Sequence, residues 1–197
     1  NPPYGTRGRM PDDVQEYIKR EYKYTTEYYI NFFEVCDRLV VDNGRTGMLV
    51  SHSFMFNSSF KQFREDFVGG QGSFDFFAEF GYDILDNATV GTVGSVVRSN
   101  STDSETGVFI RLSDADKGIK EPTFLEAAFQ PVESGIQRLY RVNLSEFKKI
   151  PGTPLSYWVP ENLRQMYNSD MVLDKDRGKE DQSGIGVIRQ GIATGDN

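Results

Sequence analysis

The sequence predicts an α/β fold in which amphipathic helices cover one sheet, and three observations support this prediction. Aromatic and aliphatic residues recur at helical spacing over 25–41. A short apolar strand follows at 46–51, and a second aromatic helix comes next. Two further strand-like segments complete the pattern. Because helices that alternate with strands usually cover a parallel sheet, we expect a largely parallel sheet.

The composition fits one globular core with an appended subdomain. The chain has 197 residues, of which 38% are hydrophobic and 13% aromatic. We expect no membrane segment, because no apolar run is long enough to cross a bilayer and no charged-then-apolar leader opens the chain. The single cysteine, Cys36, excludes an internal disulfide framework and suits a reducing compartment. A cytoplasmic location is therefore expected.

The net charge of -7 argues against a chain whose main task is to grip nucleic acid. Phosphate neutralisation needs clustered lysine and arginine side chains. Local basic stretches are present all the same, such as Arg7 and Arg9 in one loop and a later group over 138–149. A larger protein could also carry its main basic surface outside this chain.

Two helices are predicted in the first forty residues. A polar helix is expected over 11–22, since Asp12 and Asp13 suit the positive N-terminal end of a helix. The helix over 25–41 is the clearest in the chain. Its predicted buried face consists of Tyr28, Tyr29, Phe32, Phe33, Cys36, Leu39 and Val40.

The next segments predict a strand, a helix and two more strands. After the strand at 46–51, three phenylalanines at helical spacing indicate a helix, and strands follow at 74–80 and 89–97. The three phenylalanines are Phe60, Phe63 and Phe67. A polar stretch over 99–106 then predicts a boundary between residues 1–100 and a small α+β extension over 101–197.

The extension is predicted to contain two strands and two helices. Its strands are expected at 108–112 and 138–142, with an acidic helix near 121–129 between them. Pro160 and Glu161 can open a last helix. The tail from 175 onward is rich in glycine and charge.

The opening tetrapeptide, Asn1-Pro2-Pro3-Tyr4, is the segment best suited to chemistry. Proline has a fixed φ and no N–H, so two prolines make a stiff segment that presents only carbonyl acceptors. The Asn1 side-chain oxygen and the Pro2 carbonyl can together accept both hydrogens of a planar conjugated amine. Tyr4 offers a ring on which a nucleobase can stack. The alternative is that the prolines only rigidify a turn and Tyr4 is a half-buried aromatic.

In this context the tetrapeptide resembles the catalytic loop of amino-methyltransferases that use S-adenosylmethionine. Three further segments extend the resemblance. They are EYYINFFEVCDRLVVDNGRTGMLVSHSFMF, FAEFGYDILDNATVGTVGSVVRS, and FKKIPGTPLSYWVPENL together with the terminal GIATGDN. The combination is most similar to adenine-specific DNA methyltransferases of BREX phage-defence systems, known as PglX, and of related restriction–modification systems.

The resemblance implies a partial Rossmann-like methyltransferase sheet. Residues 1–100 would form the C-terminal half of the catalytic domain, and residues 101–197 would bridge it to a target-recognition region. The implied reaction transfers a methyl group from S-adenosylmethionine to the exocyclic amine of an adenine that is flipped out of double-stranded DNA.

The family's roles carry over to the matching positions. Asn1 and Pro2 would hold the adenine amine, Pro3 would keep the loop rigid, and Tyr4 would stack on the base. Tyr29 and Phe32 would be candidates for lining the cofactor pocket.

Three more positions would face the DNA. Arg7 and Arg9 would lie in a loop over the DNA backbone, although solvated loop charges are an equal alternative. Leu85 stands where relatives usually have an aromatic residue that packs on the flipped base. Leucine can fill that space but cannot stack, which weakens the expected grip on the base.

The cofactor site is expected to be incomplete. The family's glycine-rich loop and acidic ribose-binding residue precede the tetrapeptide, and this chain contains neither. Two later glycine motifs, 91–94 and 184–186, do not open a helix after a strand, so we read them as close backbone packing and a flexible loop. S-adenosylmethionine is therefore expected to bind the parent protein, and the chain alone is expected to be inactive.

Other chemistry-bearing residues have simpler interpretations. His52, the only histidine, is predicted to be a hydrogen-bonded structural residue. One cysteine and one histidine do not make a transition-metal cluster, so no metal site is expected. The acidic stretch at 113–116 lacks calcium-loop spacing and is expected to be solvated.

The chain reads as a fragment, since it opens on Asn1 with no initiator methionine and no preceding strand. The strand at 46–51 would then present an uncovered edge, which a second copy, a later segment or a separate chain could cover. Two other functions stay open. One is an NPPY methyltransferase that acts on protein glutamine or RNA guanine, and the other is a non-catalytic DNA- or partner-binding module of a defence complex.

Overall fold

The structure is a computed structural model that describes residues 1–5, 7–67, 72–85, 90–99, 106–129, 136–167, 172–174 and 184–186. Its helices are α1 (Asp12–Glu21), α2 (Tyr28–Leu39), α3 (Lys61–Asp66), α4 (Lys120–Phe129) and α5 (Glu161–Met166). Its strands are β1 (Arg45–Ser51), β2 (Gly72–Gly81), β3 (Thr92–Ser99), β4 (Thr106–Arg111), β5 (Leu139–Asn143), β6 (Val172–Asp174) and β7 (Gly184–Gly186). Each predicted helix and strand has a counterpart, with ends that differ by a few residues.

The main sheet has five strands in the order β1-β3-β2-β4-β5. β3 is antiparallel to both β1 and β2, β2 and β4 are parallel, and β4 and β5 are antiparallel. Strands β1, β2 and β4 therefore run in one direction. As a result, the carboxyl ends of β1 and β2 and the start of β3 lie at the same edge of the sheet.

The predicted α/β class is confirmed, but the expectation of a largely parallel sheet was wrong. In the five-stranded sheet only the β2–β4 pairing is parallel. The reason lies in the connection over 82–91, because a parallel crossover needs a dozen or more residues. A connection this short returns the chain antiparallel to β2, and the other edge of β3 pairs with β1.

The charges and the buried face of the first helices follow only part of the prediction. Asp12 and Asp13 lie in the first turn of α1, as expected for the helix dipole. On α2 the buried residues are Tyr29, Ile30, Asn31 and Phe33. Leu39, predicted to be buried, is 80% exposed because it ends the helix beyond the last turn that packs on the core.

One aromatic core spans both halves of the chain. Phe54, Phe63 and Phe74 share a cluster of buried residues with Phe109 and Tyr157, which lie beyond residue 100. β4 also pairs directly with β2. The division into residues 1–100 and 101–197 stays a prediction, while the sheet and the core continue across it.

The sheet ends at β1, which pairs only with β3 among the described strands. This agrees with the expected exposed edge at 46–51. Within the described ranges, no helix combines the length and the apolar character that crossing a bilayer requires.

Candidate functional site

A cavity of about 480 Å³ opens at the sheet edge where β1 and β2 end and β3 begins. Its volume falls within the range of small-molecule sites, about 300–1,000 Å³. Ligands of open α/β sheets bind outside the carboxyl ends of the strands, so this edge is the expected place for a site. The cavity is lined by Tyr4, Gly5, Arg9, Glu27, Tyr28, Ser51, His52, Ser53, Tyr82, Val90 and Gly91.

The opening tetrapeptide reaches this cavity through Tyr4. Pro2 is buried, whereas Asn1 and Pro3 are exposed. The cavity lining includes Tyr4 but neither Asn1 nor Pro2. The predicted two-acceptor clamp therefore lies beside the cavity, and its grip on an amine stays a prediction.

Close contacts with the start of α2 hold the loop after the tetrapeptide in place. The Tyr28 amide donates a hydrogen bond to the Gly5 carbonyl at 3.2 Å. A Cβ atom on Gly5 would lie 2.8 Å from the Tyr28 ring, so this approach requires glycine. The ring centroids of Tyr4 and Tyr29 are 6.2 Å apart. The Tyr4 hydroxyl is buried without a hydrogen-bond partner, and burial raises the pKa of this phenol.

The predicted cofactor-lining residues lie away from the cavity wall. Tyr29 is fully buried, with its ring against those of Tyr4, Phe54 and Phe60. Phe32 is partly buried and packs on the core. Tyr28, which the sequence placed on the buried face of the helix, lines the cavity instead. The cofactor role of Tyr29 and Phe32 thus stays a prediction that lacks a cavity contact.

The predicted DNA-facing residues have different positions. Arg9 is exposed and lines the cavity. The backbone of Arg7 belongs to the 3-10 helix Arg7–Arg9, and its side chain lies outside the description. Leu85 is partly buried and does not line the cavity, and the segment 86–89 lies outside the described residues. Tyr82, three residues before Leu85, lines the cavity and brings an aromatic ring from the same turn.

Sequence reasoning missed His52 as a cavity residue. It follows the last residue of β1, and its ring meets that of Tyr82 edge-on at 5.6 Å. Its Nδ1 is buried without a hydrogen bond and lies 3.9 Å from Oε1 of Glu79. The predicted role as a hydrogen-bonded structural residue does not hold at this nitrogen. The polar triplet around His52 at the end of an apolar strand was the available signal.

Gly91 makes room for the His52 ring. A Cβ atom at this position would lie 2.4 Å from Cε1 of the imidazole. The Gly91 carbonyl accepts a hydrogen bond of 2.9 Å from the His52 amide. A Cβ atom on Gly94 would lie 3.1 Å from the Phe80 ring. The interpretation of this glycine motif as close packing is confirmed, whereas the second motif is strand β7 and not a loop.

The cavity lining combines aromatic faces with hydrogen-bonding groups. Tyr4, Tyr28 and Tyr82 supply rings, and the hydroxyls of Ser51 and Ser53 lie 2.9 Å apart. Glu27 is the carboxylate of the lining, and burial raises the pKa of its carboxyl group. Such a surface suits a flat heteroaromatic ligand with polar edges.

Beside the cavity, the described residues include no glycine-rich turn of the kind that cradles a nucleotide. The glycines of the cavity lining are Gly5 and Gly91, and neither lies in a turn that leads from a strand into the start of a helix, which is the usual cradle for a nucleotide. In the described ranges, no three histidine, cysteine, aspartate or glutamate side chains are grouped to hold a metal ion.

Comparison with known proteins extends this picture. Residues 1–84 match the Eco57I restriction-modification methylase family. The whole chain is 28% identical to the adenine-specific methyltransferase PglX of Lacticaseibacillus casei strain Zhang, of which it covers 16%. Over 80% of its length it is 26% identical to the adenine-specific methyltransferase BrxX of Escherichia coli O9:H4 strain HS, of which it covers 13%. The chain thus spans less than a fifth of these relatives.

The fold has a counterpart among solved structures. A chain of a type I restriction–modification system superposes with a TM-score of 0.60 at 19% identity, and the match covers 82% of this chain and 37% of that one. At this identity the likeness concerns the fold alone. The resemblance predicted from the sequence is confirmed: the chain is related to the Eco57I restriction-modification methylases through residues 1–84 and to the adenine-specific methyltransferases PglX and BrxX over most or all of its length.

Proposed function

We propose that this chain forms the base-binding wall of an enzyme that methylates the exocyclic amine of adenine in DNA. The observation that carries the proposal is the position of Tyr4, which belongs to the Asn-Pro-Pro-Tyr loop and lines a cavity at the carboxyl ends of β1 and β2. The relatives named adenine-specific methyltransferases support the choice of base.

The cavity can hold a purine between aromatic side chains. Tyr4 and Tyr82 both reach the lining, and stacking on such a ring contributes about 1–3 kcal/mol per base. That gain offsets much of the cost of taking a base out of the duplex, a few kcal/mol. Tyr82 would supply the aromatic face that Leu85 cannot.

The amine of the base would be held by Asn1 and Pro2. Pro2 is buried and rigid, and its carbonyl with the Asn1 side-chain oxygen would accept both N–H groups of the amine. Accepting both bonds raises the electron density on nitrogen, which prepares it as a nucleophile. Arg9, exposed at the cavity, would contact a phosphate of the DNA, and Arg7 would do the same from the same turn.

S-adenosylmethionine would supply the electrophilic methyl group. Because the glycines of the cavity lining do not form the usual nucleotide cradle, its binding would need further residues beside the tetrapeptide, on this polypeptide or on a partner. Type I restriction–modification chains with a similar fold support partner subunits as one source. A DNA-modifying protein of this kind would work in the cytoplasm, in restriction–modification or BREX phage defence.

The test uses the complete gene product that contains this chain, expressed with plasmid DNA whose N6-methyladenine is then measured by mass spectrometry. We expect methylation in the wild type and a loss of about 100-fold in Asn1→Ala, by analogy with the removal of one polar group that contacts a reacting centre. Lys61→Gln, an exposed position, serves as the control.

Two results would contradict the proposal. One is methylation of cytosine, protein glutamine or RNA guanine in place of DNA adenine. The other is equal adenine methylation in the wild type and Asn1→Ala. Binding of adenine-containing DNA without any methyl transfer would favour the alternative of a non-catalytic module.

A further inference from the structure

Tyr82 and His52 line the cavity next to each other, and their two rings form the Tyr82–His52 wall. Tyr82 directly follows β2 and His52 directly follows β1, and their rings meet edge-on at 81°. Tyr82 is 54% exposed, so its ring is not fixed by burial alone. The supports of these two rings decide how well the cavity is formed before a ligand binds.

Lys120 supports the turn that carries Tyr82. It is the first residue of α4 and only 6% exposed. Its ammonium group donates hydrogen bonds to the carbonyls of Phe80 and Tyr82, the latter at 2.9 Å. A buried ammonium is tolerated only where hydrogen bonds replace its water shell. Between the two carbonyls, Gly81 has a positive φ of 70°, so the lysine fixes a sharp turn at the end of β2.

Tyr157 supports the other ring through a carboxylate. Its hydroxyl donates a hydrogen bond of 2.5 Å to Oε2 of Glu79, which is 5% exposed. The second oxygen of Glu79 lies 3.9 Å from the Nδ1 atom of His52, which is buried and makes no hydrogen bond. The Tyr157 ring is itself stacked on Phe109 at 5.0 Å. Tyr157 thus orients Glu79. Glu79 does not line the cavity itself, but it faces the His52 ring that does.

We propose that Lys120 and Tyr157 are positioning residues for the Tyr82–His52 wall. The second half of the chain then contributes to the site and does not only bridge it to another region. Lys120 fixes the turn of Tyr82, and Tyr157 fixes the carboxylate behind His52. The consequence for base binding rests on the proposed function, whereas the consequence for the wall itself does not.

His52 reports on the wall directly, because it is the only histidine of the chain and gives one set of imidazole signals. The Tyr82 ring shifts these signals through its ring current, and the nearby Glu79 carboxyl group shifts them through its electric field. NMR spectra that show the imidazole signals of the isotope-labelled full chain are compared for the wild type, Lys120→Met, Lys120→Arg and Tyr157→Phe. We expect shifted His52 signals in Lys120→Met and Tyr157→Phe, and near wild-type signals in Lys120→Arg, whose guanidinium can bind both carbonyls.

Two variants from the same half of the chain serve as matched controls. Lys149→Met removes an ammonium that pairs with Glu146, and Tyr140→Phe removes a hydroxyl that donates to the Gln137 carbonyl at 2.9 Å. Neither the Lys149 ammonium nor the Tyr140 hydroxyl lines the cavity, and Tyr140→Phe keeps the ring that meets the Tyr157 ring edge-on at 5.3 Å. Their His52 signals should match the wild type, which separates positioning from a general loss of stability.

A second measurement tests the link to base binding. The probe is a short single-stranded oligonucleotide with 2-aminopurine at one position, followed by its fluorescence. We expect affinity to fall about tenfold in Lys120→Met and Tyr157→Phe, as for the loss of one hydrogen bond in a binding site. Affinity should be retained in Lys120→Arg and in both controls.

The outcomes separate the two claims. Unchanged His52 signals in Lys120→Met and Tyr157→Phe would overturn the positioning role, and so would equal shifts in the controls. Shifted signals together with no binding of the probe by any protein, the wild type included, would support the positioning role and count against the proposed function. Shifted signals with unchanged affinity would overturn the claim that the wall serves base binding.

Discussion

The carbonyl of Gly5 and the amide of Tyr28 are joined by a hydrogen bond of 3.2 Å that ties the opening loop to the first residue of α2. The glycine lies so close to the Tyr28 ring that a Cβ atom would approach it to 2.8 Å. The position of Tyr4 in the cavity therefore depends on a residue outside the tetrapeptide.

The substitution Gly5→Ala should displace either the loop or the Tyr28 ring. We expect a loss of about 1–3 kcal/mol in the free energy of unfolding, as for overpacked sites. Gly8→Ala is the matched control, because a Cβ atom there would meet nothing within 4 Å. Urea unfolding of both variants measures the difference. Equal stability of Gly5→Ala and Gly8→Ala would mean that the loop does not pack on α2 as described.

The substitution Gly91→Ala should expel the His52 ring from its place in the wall. The added carbon would lie 2.4 Å from Cε1 of the imidazole, and the Gly91 carbonyl is fixed by its bond to the His52 amide. We expect a large shift of the His52 imidazole signals. Gly47→Ala, in β1 with open space at its Cβ position, should leave them in place. A larger shift of the His52 signals in Gly47→Ala than in Gly91→Ala would contradict the close contact between Gly91 and the His52 ring.

The sequence predicted the local features of the fold better than its pairings. Asp12 at the start of α1 and the apolar strand before Ser51 are local signals, and both predictions are confirmed. The insertion of β3 between β1 and β2 is a long-range pairing that periodicity does not encode. Leu39 fits the helical spacing of apolar residues, but it lies beyond the part of α2 that packs on the core and is therefore exposed. The sequence alone does not show where the core ends.

The candidate site was predicted in the same uneven way. The tetrapeptide pointed to Tyr4 because its chemistry is contained in four consecutive residues. His52 and Tyr82 come from separate strands, and the fold alone brings their rings to 5.6 Å. Lys120 and Tyr157 act from beyond the predicted boundary, where nothing in the local sequence indicates a role at the cavity.

Protonation of Asp75 in acid should lower the stability of the fold, because this carboxylate links three neighbouring strands. Partial burial alone would raise the pKa of this carboxyl group, but hydrogen bonds from Arg98 and Arg45 outweigh it and leave the pKa below its ordinary value. A carboxyl group with a lowered folded-state pKa stabilises the fold above its unfolded-state pKa, about 3.9. This contribution is lost as the pH falls through the lower folded-state value.

The pH dependence of urea unfolding measures this effect. Asp75→Asn should be less stable than the wild type near neutral pH, and the difference should shrink as the pH drops below about 4. Glu126→Gln, at an exposed position inside α4, is the control. A constant difference between Asp75→Asn and the wild type across the acid range would contradict the assignment.

S-adenosylmethionine should not bind tightly to the chain alone. The cavity lining beside Tyr4 includes Gly5 and Gly91, and neither lies in the turn between a strand and a helix that usually cradles a nucleotide. Isothermal calorimetry of the purified chain should give no saturable heat in the micromolar range. A micromolar dissociation constant would instead mean that this chain holds a complete cofactor site.

The continuity of the core across residue 100 predicts a single unfolding unit. Phe109 is fully buried, with its ring against Phe77, Phe147 and Tyr157, so it joins residues from both halves. We expect Phe109→Ala to cost about 3–5 kcal/mol, as for other buried phenylalanines. The loss should appear equally when unfolding is followed near His52 and near Trp158.

Phe129→Ala, at a position that is 78% exposed, is the control and should change stability by no more than about 0.5 kcal/mol. Two separate transitions, with only the Trp158 signal shifted by Phe109→Ala, would mean that residues 1–100 fold independently and that Lys120 and Tyr157 cannot hold the cavity wall as proposed.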